Sequence, residues 1–220
     1  MSLIARVNFK DGKIVDDFGN NWVYHDTNSS NTTAVSGPFD NTSGFHIEPY
    51  HFPICSKLNN AKDSKFCSID FWVKTYALSD YRQEIMYTLD IKDTSGGSDQ
   101  IFLVWRDGNI FVTNYSSSNA IAKLPSEDML NKWVHIKVCI DTHNSICESE
   151  INGVKTITPG LTSLSKNTFR FSSYANYIGT SSYARYYGSE TAKADYYDFK
   201  LYASDIIEWK YDSKGSCIVY

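Results

Sequence analysis

The chain has 220 residues, of which 42% are hydrophobic, 15% aromatic and 21% charged, so it can bury a core and is not expected to be disordered. Its formal net charge is -4 and it has no basic run, which argues against a nucleic acid or an anionic membrane surface as the main partner. No stretch approaches the ~18 consecutive apolar residues of a membrane helix, and the charged, alternating start predicts no signal peptide and hence synthesis in the cytoplasm.

Alternating apolar residues predict a β-strand at the start of the chain. Ala5, Val7 and Phe9 fall on one face, and polar or charged residues occupy the other. The same two-residue period recurs along 67–74, with an apolar face made of Cys67, Ile69, Phe71 and Val73. Both segments therefore suit strands with one face in the core.

Two dipeptides indicate tight hairpins. Asp107-Gly108 separates two alternating stretches, and Asn152-Gly153 separates two more. Such pairs supply the two positive-φ positions of a type I′ turn. Further strands are predicted near 44–48, 84–91, 133–140, 168–171, 176–179, 195–203 and 206–211. Only 126–130 offers a helix cap followed by one turn of helix formers.

Roughly a dozen short strands with turns every 8–12 residues predict an all-β sandwich or a closed barrel. The loops near 26–43 and 180–193 do not resemble linkers, and no internal repeat is visible, so residues 1–220 are expected to form a single domain. The predicted core includes Ile69, Phe71, Val73, Val134, Ile136, Val138, Phe199 and Leu201.

The five cysteines show no C-x-x-C spacing, which argues against a zinc ribbon or a thioredoxin-like motif. They are Cys55, Cys67, Cys139, Cys147 and Cys217. Cys139 and Cys147 flank a turn, and aligning the apolar faces of the flanking strands places Val138 opposite Cys147. The two thiols then point to opposite faces and cannot bond, so mostly free thiols and a reducing compartment are expected.

The same alignment predicts the outer face of this hairpin. It pairs Val134 with Ile151, which sets Lys137 beside Glu148 and His135 beside Glu150. Opposite charges on facing strands stabilise such a pair.

Four segments, in order along nearly the whole chain, resemble the laminin-G-like, concanavalin A-like lectin/glucanase family. Residues 4–12 and 16–20 resemble the family's first strand and its Asp-x-x-Gly-Asn loop. Residues 66–74 resemble its Trp-containing strand, 132–153 its Trp-led hairpin ending in Asn-Gly, and 177–202 its closing segment. The resemblance implies a two-sheet antiparallel jelly-roll sandwich, a fold that hosts lectins, adhesion modules, glucanases and structural domains.

The catalytic patterns of this fold are missing from the sequence. Glucanases of the family carry E-x-D-x-x-E on one strand, and the nearest match here is Glu148-x-Glu150, which the predicted register pairs with Lys137 and His135 as surface ion pairs. Alginate-lyase-like jelly rolls carry Gln-x-His, and 100–102 lacks the histidine. The chain is therefore predicted not to be an enzyme.

An aromatic loop is the first candidate binding site. Tyr183, Arg185, Tyr186 and Tyr187 fall within five residues. Sugars present flat C–H faces to aromatic rings, and Arg binds hydroxyls, so this cluster suits a glycan. The alternative is that these tyrosines fold back and cap the end of the sandwich.

The resemblance also implies a structural calcium ion between the first loop and the closing strands. Asp16 matches the family's loop aspartate and Asp198 one of its two closing acids, whereas Tyr197 stands at the other closing position. Ca²⁺ requires six to eight oxygen ligands, so the alternative is that both acids are merely solvated.

Two classes of function remain. The first is a non-catalytic carbohydrate-binding or adhesion module that recognises a glycan or a cell-surface polysaccharide. The second is a structural protein of a phage tail or surface fibre, whose partners are proteins in an oligomeric assembly. The tyrosine-rich loop favours the first, and the free thiols and the absence of a signal peptide favour the second.

Overall fold

Strands make up the regular structure of the computed structural model, which describes residues 2–26, 34–48, 51–59, 61–76, 84–92, 98–106, 109–114, 122–124, 128–159, 168–171, 175–180, 193–204, 209–211 and 217–219. The first strands are β1 (Ser2–Lys10), β2 (Lys13–Asp16), β3 (Trp22–Asp26), β4 (Ala34–Ser36), β5 (Ser43–Ile47), β6 (His51–Cys55), β7 (Phe66–Thr75), β8 (Glu84–Lys92), β9 (Ser98–Arg106) and β10 (Asn109–Asn114). The later strands are β11 (Ala122–Lys123), β12 (Val134–Asp141), β13 (Ile146–Ile151), β14 (Val154–Pro159), β15 (Thr168–Phe169), β16 (Asn176–Ile178), β17 (Ala194–Ser204), β18 (Trp209–Tyr211) and β19 (Cys217–Val219).

The first sheet is antiparallel and has the strand order β14-β13-β12-β7-β17-β1-β2. Strand β17 is long enough to pair with three neighbours, because its first residues pair with β5 and its later residues with β1, while β7 runs along its other side. Strand β4 extends this sheet beyond β5.

The second sheet has the order β11-β10-β9-β8-β16-β6-β3, with β15 also paired to β8. All of these pairs are antiparallel too. Strands β18 and β19 form a separate two-stranded sheet. Within the described residues no helix is present that could cross a membrane.

The apolar faces of the two large sheets form one hydrophobic core. The eight residues that the sequence predicts to be buried are each at most 1% exposed: Ile69, Phe71, Val73, Val134, Ile136, Val138, Phe199 and Leu201. The all-β, two-sheet jelly-roll prediction is confirmed, because alternation along each strand sends these side chains between the sheets.

Both predicted hairpins are present. Ile151 pairs with Val154, and the connecting Asn152 and Gly153 have φ angles of 48° and 82°, as a type I′ turn requires. Asp107 and Gly108 lie outside the described residues, but the strands on either side pair directly up to that dipeptide.

The predicted register of the β12–β13 hairpin is wrong by two residues. Val138 pairs with Ser149, not with Cys147, and Lys137 faces Glu150. The cause is a turn that the apolar pattern does not encode. The carboxylate of Asp141 accepts hydrogen bonds from the backbone N–H groups of His143 (2.8 Å) and Asn144 (3.0 Å) and so fixes a four-residue connection.

A shift of two residues keeps every side chain on its predicted face. Cys147 therefore points into the core, and Cys139 lies on the outer face, where its Sγ is 3.1 Å from Ser68 Oγ. The four cysteines with described side chains are buried and free, as predicted; they are Cys55, Cys67, Cys139 and Cys147.

The predicted helical turn at 126–130 is not helical in its described part, residues 128–130. Instead, the backbone of Leu130 bridges to Thr75, and Thr75 N donates to Met129 O at 3.1 Å. Backbone groups that would form hydrogen bonds within a helix form them with the end of β7 instead.

Replacing Phe71 with alanine is expected to lower the free energy of unfolding by about 3–5 kcal/mol, because it removes a large aromatic ring from the core. Phe71 is fully buried and packs on the rings of Tyr196 and Phe199, with centroids 5.7 and 5.5 Å away. Denaturant melts measure the loss, with Phe18→Ala, whose ring is 43% exposed, as the control. A loss below about 1 kcal/mol for Phe71→Ala would contradict the assigned core.

Candidate functional site

Tyr183, Arg185, Tyr186 and Tyr187 lie outside the described residues, so their role in binding a glycan stays a prediction. The described chain resumes at Lys193, next to the start of β17.

Asp16 organises the first loop. Its carboxylate accepts hydrogen bonds from Phe18 N (2.7 Å), Asn20 Nδ2 (3.0 Å) and the indole N–H of Trp22 (2.8 Å). The same Asn20 amide donates to Ile4 O at 3.0 Å. The Asp-x-x-Gly-Asn segment thus holds itself against β1 through protein donors.

Asp198 lies in a β-bulge of β17, where pairing with β7 shifts between Tyr197 and Lys200. Its φ of 50° places it in the left-handed region. Its carboxylate accepts a hydrogen bond from Arg6 Nε at 2.7 Å and lies 2.7 Å from Lys200 Nζ. Burial opposes ionisation, but these two cations outweigh it and lower the pKa of Asp198.

Asp16 and Asp198 do not fit a shared calcium site. Asp16 pairs with Val7, whose side chain is in the core, whereas Asp198 contacts Arg6 on the outer face of the same sheet. Both carboxylates also already have protein partners. Among the residues described here, no group of three or more His, Cys, Asp or Glu side chains is placed to hold a metal ion.

The outer face of the first sheet carries a row of three rings, which we call the aromatic row: His135, Trp72 and Tyr197. Strand pairing sets them side by side on three adjacent strands, since Trp72 of β7 is opposite His135 of β12 and Tyr197 of β17. The rings of Trp72 and His135 have centroids 5.0 Å apart. All three side chains are partly exposed.

Two more rings border the aromatic row. Phe39 stands nearly perpendicular to Trp72 (5.2 Å, 81°) and to Tyr197 (6.1 Å, 74°), and 53% of it is exposed. Trp133 lies near Gly44 of β5, where an added Cβ would be 3.4 Å from the indole and 2.4 Å from Tyr196 O. Any larger residue at position 44 would therefore clash with the backbone of β17.

Charged side chains follow the next row along the strands, which we call the charged row, and their signs alternate from Lys155 to Lys200. Its members, in order across the sheet, are Lys155, Glu150, Lys137, Asp70, Lys200 and Arg6. Asp70 also accepts a hydrogen bond from the imidazole of His135 (Nε2 to Oδ1, 2.9 Å), which links the charged row to the aromatic row.

On the other side of the aromatic row, Asp195 is the centre of a hydrogen-bonded cluster, the Asp195 network. Its fully buried carboxylate contacts His46 Nδ1 (2.6 Å), Lys74 Nζ (2.8 Å) and Tyr76 Oη (2.5 Å). The second imidazole nitrogen of His46 contacts Glu48 at 3.2 Å. Three partners compensate the desolvation of this carboxylate.

The Asp195 network favours the charged forms of His46 and Asp195. Burial lowers the pKa of His46, but the hydrogen bonds to Asp195 and Glu48 outweigh burial and raise the pKa above its ordinary value of 6.5. Burial likewise opposes the ionisation of Asp195, yet His46, Lys74 and Tyr76 lower the pKa of this carboxyl.

His46 and His135 are both held by carboxylates. A catalytic base needs a nitrogen that can take a proton from the substrate, and carboxylates occupy both nitrogens of His46. His135 is oriented by Asp70, but its neighbours across the sheet are Trp72 and the Asn152 side chain, which supply no nucleophile.

Glu148 and Glu150, the nearest match to a catalytic acid pair, face other residues than the predicted register gave them. Glu150 faces Lys137 as a charge pair and lies 3.8 Å from Lys155, whereas Glu148 faces Cys139 instead of Lys137. His135 is therefore not the partner of Glu150.

No protein-family model and no curated protein matches the chain. Its fold is similar to domain 4 of AbnA, an extracellular GH43 arabinanase of Geobacillus stearothermophilus solved with arabinotriose (TM-score 0.62, 16% identity, 92% of this chain and 93% of that one). It is also similar to the binding domain of botulinum neurotoxin DC in complex with SialylT, with a TM-score of 0.56 and 16% identity over 93% of this chain and 48% of that one. A third similar structure is the Trypanosoma rangeli sialidase in complex with sialic acid, with a TM-score of 0.56 and 11% identity over 93% of this chain and 31% of that one.

At these identities the similarities establish a shared β-sandwich jelly-roll fold. The chain spans nearly all of the arabinanase domain, but about half of the toxin domain and a third of the sialidase. These structures come from both enzymes and binding domains, and they give no support to a phage-tail or fibre component.

Replacing Asp16 with asparagine is expected to lower the free energy of unfolding by about 1–3 kcal/mol, because partly buried donors lose their charged acceptor. Adding Ca²⁺ or a chelator should leave the melting temperature of the unmodified protein unchanged. Asp17→Asn, at the neighbouring exposed position, is the control. A rise in melting temperature with Ca²⁺ that Asp16→Asn abolishes would restore the calcium hypothesis.

His46 should make the free energy of unfolding fall as the pH rises. Because folding raises its pKa, its contribution is complete below about pH 6.5 and is lost as the pH rises through the raised pKa. Chemical denaturation between pH 5 and 9 should show this decline in the unmodified protein and in His143→Gln, an exposed control. The decline should be absent in His46→Gln, and its persistence there would refute the assignment.

Proposed function

We propose that this protein is a non-catalytic carbohydrate-binding module that holds a glycan against the aromatic row of the first sheet. The observation that carries the proposal is a partly exposed set of rings, His135, Trp72 and Tyr197, bordered by Phe39. Exposed aromatic clusters attract nonspecific contacts, so they commonly mark binding surfaces.

The polar groups beside the rings suit a sugar. A sugar ring has C–H faces that pack on aromatic rings and hydroxyls at its edges that need hydrogen-bond partners. Asp70 and Lys137 lie one row away on one side, and the partly exposed Lys74 lies one row away on the other. Rings flanked by both acceptors and donors are typical of sites that bind polar ligands.

The full-length similarity to an arabinanase domain solved with arabinotriose supports a glycan as the ligand class. The order of the sequence blocks supports a jelly roll of the laminin-G-like, concanavalin A-like type. A shallow sheet face removes little ligand surface from water, so affinity per site should be weak, about 0.1–1 mM. Several copies on a polysaccharide-coated surface would raise it through avidity.

A binding role is favoured over hydrolysis by the state of the acids on this face. Asp198 and Asp195 each contact two or three donors, and Asp70 accepts from His135. Glycoside hydrolysis needs one carboxylic acid that can give up a proton and one free carboxylate across the scissile bond. A lowered pKa, as for Asp195 and Asp198, is the reverse of what the proton donor requires.

Trp72→Ala and Tyr197→Ala are each expected to weaken glycan binding about tenfold, because each removes one stacking ring. A glycan array first identifies ligands, and titration calorimetry then compares the variants. Tyr202→Ala is the matched control for Tyr197→Ala, since Tyr202 lies on the same face of β17 but two rows away.

Phe39→Ala tests the site without disturbing the core, because its ring is 53% exposed, and Phe18→Ala, at 43%, is its control. Binding should fall for Phe39→Ala while the melting temperature stays nearly unchanged. Unaltered binding in Trp72→Ala, Tyr197→Ala and Phe39→Ala, with a loss in Tyr186→Ala/Tyr187→Ala, would move the site to the loop. An array without a ligand would contradict the proposed function itself.

A further inference from the structure

The cations beside the aromatic row all have carboxylate neighbours. Asp198 engages both Arg6 and Lys200 at 2.7 Å, and Asp195 engages Lys74 at 2.8 Å. Lys137 lies in register between the acids Glu150 and Asp70 of the adjacent strands.

The histidines beside the aromatic row also have carboxylate neighbours. His46 lies between Asp195 and Glu48, and His135 contacts Asp70. The described part of this face carries five acids, Glu48, Asp70, Glu150, Asp195 and Asp198, and six permanent cations, Arg6, Lys74, Lys137, Lys155, Lys193 and Lys200. Every one of these cations except Lys137 lies between 2.7 and 3.8 Å from one of these carboxylates. A carboxylated or sulfated sugar would have to compete with these carboxylates for each of the five paired cations and would lie close to the acids themselves, an arrangement that selects against it.

The span of the aromatic row sets the length of the ligand that it can hold. Adjacent strands are about 4.8 Å apart, so three rings on β12, β7 and β17 span about 10 Å perpendicular to the strands. The length of that span matches two or three linked sugar rings, and it exceeds one. The charged row and the Asp195 network run parallel to it on either side, where the hydroxyls of such a chain would point.

Asp70 has the capacity to bind those hydroxyls. A carboxylate can accept about four hydrogen bonds, and the bond from His135 Nε2 uses one of them. Asp70 is 17% exposed and lies one row from Trp72 on the same strand, so its other lone pairs can serve a ligand held on the rings.

Resting on the proposed function, we propose that the aromatic row binds a neutral, linear oligosaccharide of two to three sugar units lying across the strands, and discriminates against acidic glycans.

The test is a calorimetric panel on the full chain. Its neutral probes are arabinose, arabinotriose, xylotriose and cellotriose, and its acidic probes are trigalacturonate and sialyllactose. At least one neutral trisaccharide should bind about fivefold more tightly than its monosaccharide, with no further gain beyond three or four units. The acidic probes should bind at least about tenfold more weakly.

A charge variant tests the cause of the discrimination. Asp198→Asn removes the carboxylate shared by Arg6 and Lys200, and asparagine tolerates the left-handed φ of 50° at this position. It should strengthen trigalacturonate binding about threefold or more relative to the neutral ligand. Asp17→Asn, which removes an exposed acid 3.8 Å from Arg6, is the matched control and should not.

Failure of this inference is distinguishable from failure of the proposed function. An acidic trisaccharide that binds as tightly as a neutral one, and loses binding in Trp72→Ala, would overturn the neutral selectivity but keep glycan binding on the row. A monosaccharide as tight as its trisaccharide would overturn the length. If no saccharide bound, or if Trp72→Ala changed nothing, both proposals would fall.

Discussion

The antiparallel pairing of β17 with β7, β1 and β5 determines most of the first sheet. Because side chains alternate along a strand, burying Tyr196, Phe199 and Leu201 in the core forces the residues between them to the outer face. The same pairing brings Tyr197 beside Trp72, and it brings Asp195 beside both Lys74 and His46. The core and the candidate site are therefore two faces of one set of backbone hydrogen bonds, and a change of register would disrupt both together.

Two aspartates of β17 show how this face keeps charges at a partly buried surface. Asp195 has no exposed side-chain area, and such a carboxylate is tolerated because His46, Lys74 and Tyr76 all contact it. Asp198 occupies the bulge that interrupts pairing with β7, and the bulge allows one carboxylate to reach Arg6 on β1. Each acid thus orders cations on neighbouring strands, which leaves the rings between them as the apolar part of the surface.

Alternation allowed the core to be predicted from sequence, including Ile69 and Phe71, and the Asn152-Gly153 dipeptide predicted its hairpin, because both signals are local. The β12–β13 register was wrong because a period of two cannot distinguish a shift of two residues, and the Asp141 turn decided between them. The aromatic row was missed for a different reason. Trp72 and Tyr197 are far apart in sequence, and only the pairing of β7 with β17 makes them neighbours. The available signal was the run of outward aromatic and charged residues along each strand.

The central claim is that the outer face of the first sheet, and not a loop or the second sheet, is the binding surface. The most direct measurement is a ¹H–¹⁵N chemical-shift titration of the full chain with the tightest-binding neutral trisaccharide. The account predicts the largest shifts at the Trp72 indole N–H and at backbone amides of β7, β12 and β17 around the aromatic row. Shifts confined to residues 181–192, or to the strands of the second sheet, would contradict it.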